Sequence, residues 1–495
     1  MIPIIKRYKV DTFTPIQLFQ SLRKDAVYLL ESNDRNSNWS RYSFIGLNPL
    51  YTINENEDQF ILYNKENEPI CQSETFPEIF QDIEEYLNVS VPEIPIPFTG
   101  GAVGYIGYEA VSAFEQIQLD SKEAEGASKC QLVICETIAS YDHLEKELFF
   151  IHYVHLKEDH SEIELRQKYA AAEKKLDQYL QELKKGRELD SLFLPPLDKG
   201  KVDFSNVKSN YTKEEFTEKV EKIQEYIHAG DIFQAVLSQR FSIPVSVDGF
   251  DLYRILRNVN PSPYLFYLKL GETELVGSSP ERLIHVKEGH LEIHPIAGTR
   301  RRGDSPEEDT RLSRDLLQDE KEKAEHLMLV DLARNDIGKV AEYHSVKTEE
   351  FMEPVYFSHV IHLLSKVTGK LKKDVHPTKA LMAAFPAGTV SGAPKIRAME
   401  ILQELEDSAR DHYAGCVAYI GFDGNIDSCI TIRTAVVNDG YAHVQAGAGI
   451  VADSVPELEY EETENKASAL LKAIELAEKH FGEGEIREIH TQAGR

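Results

Sequence analysis

Beyond about residue 205, apolar residues recur with helical spacing over roughly 212–229, 306–333, 394–406 and 456–479, and β-rich runs at 232–240, 263–270, 414–422, 429–437 and 442–446 lie between these stretches. That interleaving makes the class mixed, α+β. The first 155 or so residues alternate short strand-like runs, such as Ala26-Val-Tyr-Leu-Leu30 and Leu148-Phe-Phe-Ile151, with turn clusters and the glycine-rich Gly100-Gly-Ala-Val-Gly-Tyr105. A charged helix-forming stretch, Ser161 to Lys185, then leads into Leu192-Phe-Leu-Pro-Pro-Leu197, where paired prolines mark a boundary near 195–205. The expected organisation is a β-rich region over residues 1–200 and a second region over 204–482. There is no internal repeat and no low-complexity tract.

The formal charge of −28 repels phosphate backbones and anionic membranes, so neither nucleic acid nor a membrane is expected as a partner. A small anionic substrate meets the same field, and its site must therefore concentrate basic side chains and backbone N–H groups locally. Five cysteines without CxxC spacing read as reduced thiols. No run approaches the ~18–20 apolar residues of a membrane span, and the amino terminus turns charged at Lys6-Arg7, before an apolar stretch of signal-peptide length develops. A cytoplasmic protein is expected.

Four constellations carry chemistry. Glu322 and Glu325 are three apart in a helical pattern, and Glu459 and Glu462 repeat that spacing in a helix whose start, Ser454-Val-Pro-Glu457, fits a capping box with proline in the first turn. Facing helices would converge four carboxylates and demand a dication, for which oxygen-only ligation suits Mg²⁺; alone, each pair is what any solvated acidic helix shows. The loop Phe385-Pro-Ala-Gly-Thr-Val-Ser-Gly-Ala-Pro-Lys-Ile-Arg397 runs into a helix, and the hydroxyls of Thr389 and Ser391 with Lys395 and Arg397 could cradle an anion. Gln445-Ala-Gly-Ala-Gly-Ile-Val-Ala452 satisfies G-x-G-x-x-A, but the next helix starts only at about 455, so Gly447 and Gly449 are better explained as close approaches of backbone to an anion. Arg433 interrupts an apolar strand and needs an acidic partner, while His362, among apolar residues, has the intrinsic pKa of a proton donor.

Together these strings resemble the chorismate-utilising enzymes. The resemblance rests on Pro295-Ile-Ala-Gly-Thr-Arg300, Ala324-Glu-His-Leu-Met-Leu-Val-Asp-Leu-Ala-Arg-Asn-Asp336, Val360-Ile-His-Leu363, Gly388-Thr-Val-Ser-Gly-Ala-Pro-Lys395, Ala446-Gly-Ala-Gly-Ile-Val451 and Glu461-Glu-Thr-Glu-Asn-Lys466. It implies a chorismate-binding fold, a layered αβ sandwich of large antiparallel sheets flanked by helices. It further implies Mg²⁺ on Glu325 and Glu462, with Glu322 and Glu459 holding metal-bound water and the metal meeting the ring carboxylate of chorismate. Arg433, Tyr413 and the N–H groups of Gly447, Ala448 and Gly449 would take the enolpyruvyl carboxylate, with Lys466 nearby. Gly298, Thr299 and Thr389 would complete the ring pocket, and His362 would act at the C4 hydroxyl or in pyruvate elimination.

Within the family, the water-adding members carry lysine where this chain has Gln234, which cannot act as a base, and the usual aminodeoxychorismate-forming members carry a nucleophilic lysine where it has Ala297. The resemblance therefore favours amination by ammonia and completion to anthranilate, with aminodeoxychorismate formation as the alternative, and a non-catalytic tryptophan-sensing subunit as a second. No glutaminase-type cysteine string is evident, which implies a separate glutamine amidotransferase subunit as the ammonia source. Leu30, Glu31 and Ser32, with Pro263, Tyr264 and Leu265, resemble a tryptophan feedback pocket, walled also by Tyr419.

Overall fold

The computed structural model describes residues 1–32, 41–56, 59–115, 117, 129–156, 160–185, 194, 200, 202–357 and 360–482. Most of the Leu192–Leu197 linker string lies outside them. Twenty-two strands join one hydrogen-bonded network, and every strand pairing among the described residues is antiparallel.

Strands from both parts of the chain share that network. Tyr264–Leu270 lies between Ala26–Glu31, where Leu265 opposes Glu31, and Thr273–Ser279, where it opposes Ser278. Farther along, Cys416–Gly421 pairs with Gly101–Ile106. The cores are shared as well. Phe19 of the helix Pro15–Leu22 stacks on Phe250 of the helix Gly249–Val259 with ring centroids 4.4 Å apart, and each such fully buried aromatic contributes about 1.5–3 kcal/mol of burial energy. A polar tie accompanies the apolar ones: Glu109 accepts hydrogen bonds from the backbone N–H groups of Arg410 at 2.8 Å and Asp411 at 3.1 Å.

Two helices and the strands beneath them position the site. Pro456–Phe481 buries Thr463, Ala467, Leu470, Leu471, Ile474 and Ala477, a helical stripe laid on the sheet, which leaves Glu459, Glu462 and Lys466 on its flank. The stretch expected as one helix over 306–333 is two, Pro306–Gln318 and Glu320–Val340. The Asp319 carboxylate causes the break by capping the second helix, accepting from the N–H groups of Lys321 at 3.0 Å and Glu322 at 3.2 Å.

Three further local expectations are corrected. The strand expected over 429–437 is interrupted between Ile426–Ile430 and Thr434–Asn438, where Arg433 takes a left-handed φ of 51°, outside the extended region of a regular strand. Ser454 does not cap the helix that follows it; the cap position is Val455, without a side-chain bond, and the Ser454 hydroxyl instead accepts from the Val451 N–H at 3.0 Å. Pro394 precedes the helix Lys395–Leu405 and is not its first residue.

Candidate active site

The strand Tyr441–Ile450 pairs with Gln234–Pro244 through residue 450 on one side, but on the other its pairing with Thr434–Asn438 ends at Val444. Gly447 and Gly449 therefore present their N–H groups at an edge beyond the end of a neighbouring strand, where a ligand can take them, whereas the Ala448 N–H expected to join them faces Leu237 on the paired strand. Crowding is severe at Gly447, which also faces the Leu237 carbonyl, and milder at Gly449, where only the Gln234 side-chain end is near. A Cβ on Gly447 would stand 2.6 Å from the Tyr413 hydroxyl, and one on Gly449 would stand 2.6 Å from the Gln234 side-chain nitrogen. Tyr413 and Gln234 thus flank the glycine strand.

Lys466 reaches the same place from the helix. Its ammonium donates to the Gly447 carbonyl at 2.9 Å and pairs with Glu462 at 2.6 Å, while its own carbonyl accepts from the Arg433 guanidinium at 2.7 Å. Arg433 is not on a strand, and no carboxylate bonds it among the described residues. Burial pushes its guanidinium below the ordinary value, a loss partly offset by Tyr413 and Glu462. A half-buried cation whose guanidinium meets one carbonyl among the described residues suits an external anion.

The carboxylates of the two helices do converge. Burial raises Glu325 above the ordinary carboxylate range, and the negative charges of Glu322 and Glu462 raise it further, against the opposing effect of Lys321 and Lys466. Glu459 is raised by burial and by Glu462. Glu322 is held differently, by Arg300 at 3.1 Å, and its other oxygen lies 3.2 Å from where a Cβ on Gly298 would be. Gly298 has a φ of 71°, a conformation glycine tolerates. Among the described residues no three His, Cys, Asp or Glu side chains are close enough to hold a metal by themselves. Carboxylates close enough that Glu462 raises both Glu325 and Glu459 nevertheless suit a hard dication that completes its shell with substrate and water.

His362 and Thr299 are cross-strand neighbours on Val360–Lys370 and Ile296–Arg301. The His362 Nδ1 lies 2.8 Å from the Gly298 carbonyl and 3.2 Å from the Thr299 hydroxyl. A carbonyl only accepts, so Nδ1 carries the hydrogen and Nε2 of the neutral ring presents a lone pair.

Thr389 joins the site through a residue that sequence reasoning missed. Its hydroxyl donates to Glu281 at 2.9 Å. Burial pushes the Glu281 carboxyl up to about 7, opposed by that bond and by Lys466. A lone acid in Ser279-Pro-Glu-Arg282 offers no pattern, and its character comes from partners 108 or more positions away. The anion cradle expected around Thr389 is not formed by the groups proposed: Lys395 pairs with Asp336 at 3.1 Å, Arg397 with Asp231 and Glu400, and the Ser391 hydroxyl donates to the Ala387 carbonyl.

The second cluster, at Ala26–Glu31 and Tyr264–Leu270, also assembles. Glu31 is buried and accepts from Tyr253 at 2.6 Å and Arg257 at 3.2 Å. The Ser32 hydroxyl is buried with no hydrogen-bond partner among the described residues. Tyr264 donates to Asp427 at 3.0 Å and accepts from Arg282 at 2.8 Å, while Tyr419 packs on Phe98 at 4.6 Å. Pro263 immediately precedes the Tyr264 strand.

The site thus brings together a strand edge with two glycines, a half-buried arginine, carboxylates from two helices and an acid that burial raises to about 7. The chain belongs to the chorismate binding enzyme family, whose profile matches residues 26–472. It is similar to anthranilate synthase component 1 of Bacillus subtilis (strain 168), 53% identical over 481 residues covering 97% of this chain and 93% of that protein, and to that of Aquifex aeolicus (strain VF5), 42% identical over 97% and 96%. Among solved structures, anthranilate synthase component I from Streptococcus pneumoniae TIGR4 superposes with a TM-score of 0.73 at 38% identity, covering 89% of this chain and 94% of that one. The menaquinone-specific isochorismate synthase MenF from Escherichia coli shares the fold, with a TM-score of 0.68 at 17% identity over 96% and 95%.

Proposed function

We propose that this chain converts chorismate and ammonia to anthranilate, pyruvate and water, the first committed step of tryptophan synthesis, and that tryptophan inhibits it. The observation that carries the reading is the presence in one site of Arg433, to which no carboxylate bonds among the described residues, and of Glu281, whose carboxyl burial pushes up to about 7. Arg433, Tyr413 and the N–H groups of Gly447 and Gly449 hold the enolpyruvyl carboxylate. Glu325 and Glu462 would hold Mg²⁺ against the ring carboxylate, with Glu322 and Glu459 behind them, and the ion would supply divalent charge that neutralises that carboxylate. Glu281, positioned by Thr389, gives its proton to the C4 hydroxyl, which departs as water while ammonia bonds to C2. The Nε2 of His362 then takes the C2 proton as pyruvate is eliminated and the ring becomes aromatic. Gln234 and Ala297 place neither a water-activating base nor an amine nucleophile there.

The name "component 1" borne by the relatives supports a partner component for this chain, which we assign as a glutamine amidotransferase delivering ammonia. No described helix is long and apolar enough to cross a membrane, and a cytoplasmic location is part of this reading. The test follows anthranilate fluorescence from the purified chain with chorismate, Mg²⁺ and ammonium, with and without tryptophan. Anthranilate production suppressed by tryptophan is the expected result; chorismate consumed without anthranilate would overturn it in favour of a sister activity.

The Ser32 hydroxyl, buried beside the anchored Glu31 and without a hydrogen-bond partner among the described residues, supports the feedback assignment, since such a donor suits a ligand's polar group. Ser32→Ala is expected to raise the tryptophan concentration needed for half-inhibition by about tenfold, the worth of one hydrogen bond, at unchanged turnover. Undiminished inhibition would remove the pocket from these strands.

A further inference from the structure

Three segments that build the site, the Thr389 turn, the Gln234 strand and Tyr413, meet at one buried side chain. Arg410 is buried, and its guanidinium makes a two-pronged pair with Glu406, Nε to Oε2 and Nη2 to Oε1, each at 2.7 Å. Its remaining donors take two backbone carbonyls: Nη1 bonds that of Val390 at 2.8 Å and Nη2 that of Val236 at 2.6 Å. The flat face lies 5.7 Å from the Tyr413 ring centroid, with Tyr108 at 4.7 Å. Glu406 extends the clamp, accepting from the N–H of Ser238 at 2.9 Å and from its hydroxyl at 2.8 Å. Val390 follows Thr389, and Val236 and Ser238 lie on the Gln234 strand, opposite Gly449 and Gly447. A planar fork with fixed donor directions can hold several groups in one geometry, which a lysine point charge cannot.

We propose that Arg410 is a positioning residue for this reaction: oriented by Glu406, it fixes the Thr389 turn, the Tyr413 ring and the Gln234 strand relative to one another, and so keeps the Thr389 hydroxyl on Glu281. The inference rests on the proton-donor reading of Glu281 given above. Two groups outside its own segment act on that carboxyl, the Thr389 hydroxyl and the Lys466 ammonium, and both favour its ionised form. Slackening the Thr389 turn removes one of them, so the carboxyl keeps its proton to higher pH.

The test is the pH dependence of kcat/KM for Arg410→Lys, Thr389→Val and the double variant, followed as loss of chorismate absorbance, which does not depend on which product forms. Arg410→Lys is expected to lower kcat/KM by about tenfold or more and to move its alkaline limb upward by about half a pH unit or more. Thr389→Val should move the limb in the same direction, and the double variant no further than Thr389→Val alone. A rate loss with the limb unmoved, or limb shifts that add in the double variant, would overturn the proposal and leave Arg410 a packing group. Glu406→Gln, which keeps the buried volume and weakens the fork's orientation, supplies the same readout should Arg410→Lys fail to fold, as judged by its melting temperature. Failure of the anthranilate reading shows instead as a different product from the unsubstituted chain.

Discussion

Glu281→Gln is expected to slow anthranilate formation by about 10²–10⁴-fold, the usual worth of a positioned general acid, with little change in the KM for chorismate. Glutamine keeps the shape and an oxygen for the Thr389 hydroxyl, but it has no acidic proton to give the departing hydroxyl. Glu281 titrates at about 7 because it is buried, so its protonated, active form is present below that pH and is lost as pH rises through it. The wild-type kcat/KM should therefore fall on the alkaline side of about 7, and the variant's residual activity should lack that limb. The same displacement has a stability sign. The folded pKa lies above the ordinary carboxylate value, so the folded state binds this proton more tightly than the unfolded state, and stability declines as pH rises from the unfolded to the folded pKa. Glu281→Gln should consequently gain melting temperature relative to the wild type at alkaline pH. Unaltered turnover would move the acid to another residue.

Glu462→Gln carries the second large effect. Glu462 is bonded to Lys466 at 2.6 Å and raises the pKa of both Glu325 and Glu459, so it is the carboxylate through which the two helices sense each other. Removing its charge deletes half of the proposed Mg²⁺ ligation while the helix, whose buried stripe is elsewhere, stays in place. Activity at a fixed Mg²⁺ concentration should drop by about a hundredfold or more, since such an ion contributes several kcal/mol to charge stabilisation. A magnesium titration should show the half-saturating concentration shifted upward. Identical kinetics in that titration would take Glu462 out of the metal site.

Much of this was legible in the sequence wherever a local pattern and its chemistry coincide. The i, i+3 glutamates could be placed on shared helix faces, and Gly447 and Gly449 could be read as close approaches instead of a nucleotide fingerprint, because the helix does begin only at Pro456. What stayed hidden depends on distant partners. Glu281 acquires its role from burial and from Thr389; Arg433 reads as a strand residue until its left-handed φ is seen; Asp319 looks like one more acid in a long helix until its carboxylate is found folded back on the next turn. Lys395 failed in the opposite way: the positive charge was visible, but not that Asp336 already neutralises it. Burial and long-range pairing are properties of the folded chain, and periodicity does not encode them.

The bond from the Arg410 N–H to Glu109 joins positions 301 residues apart. At ribosomal speeds of about 5–20 residues per second, the earlier partner waits roughly 15–60 s for the later one to be made. During that interval the nascent amino-terminal strands have exposed edges that only the carboxy-terminal half will cover. A sheet shared by early and late strands thus leaves those edges open to wrong pairing until the later strands are made, and ties the completion of the site to them.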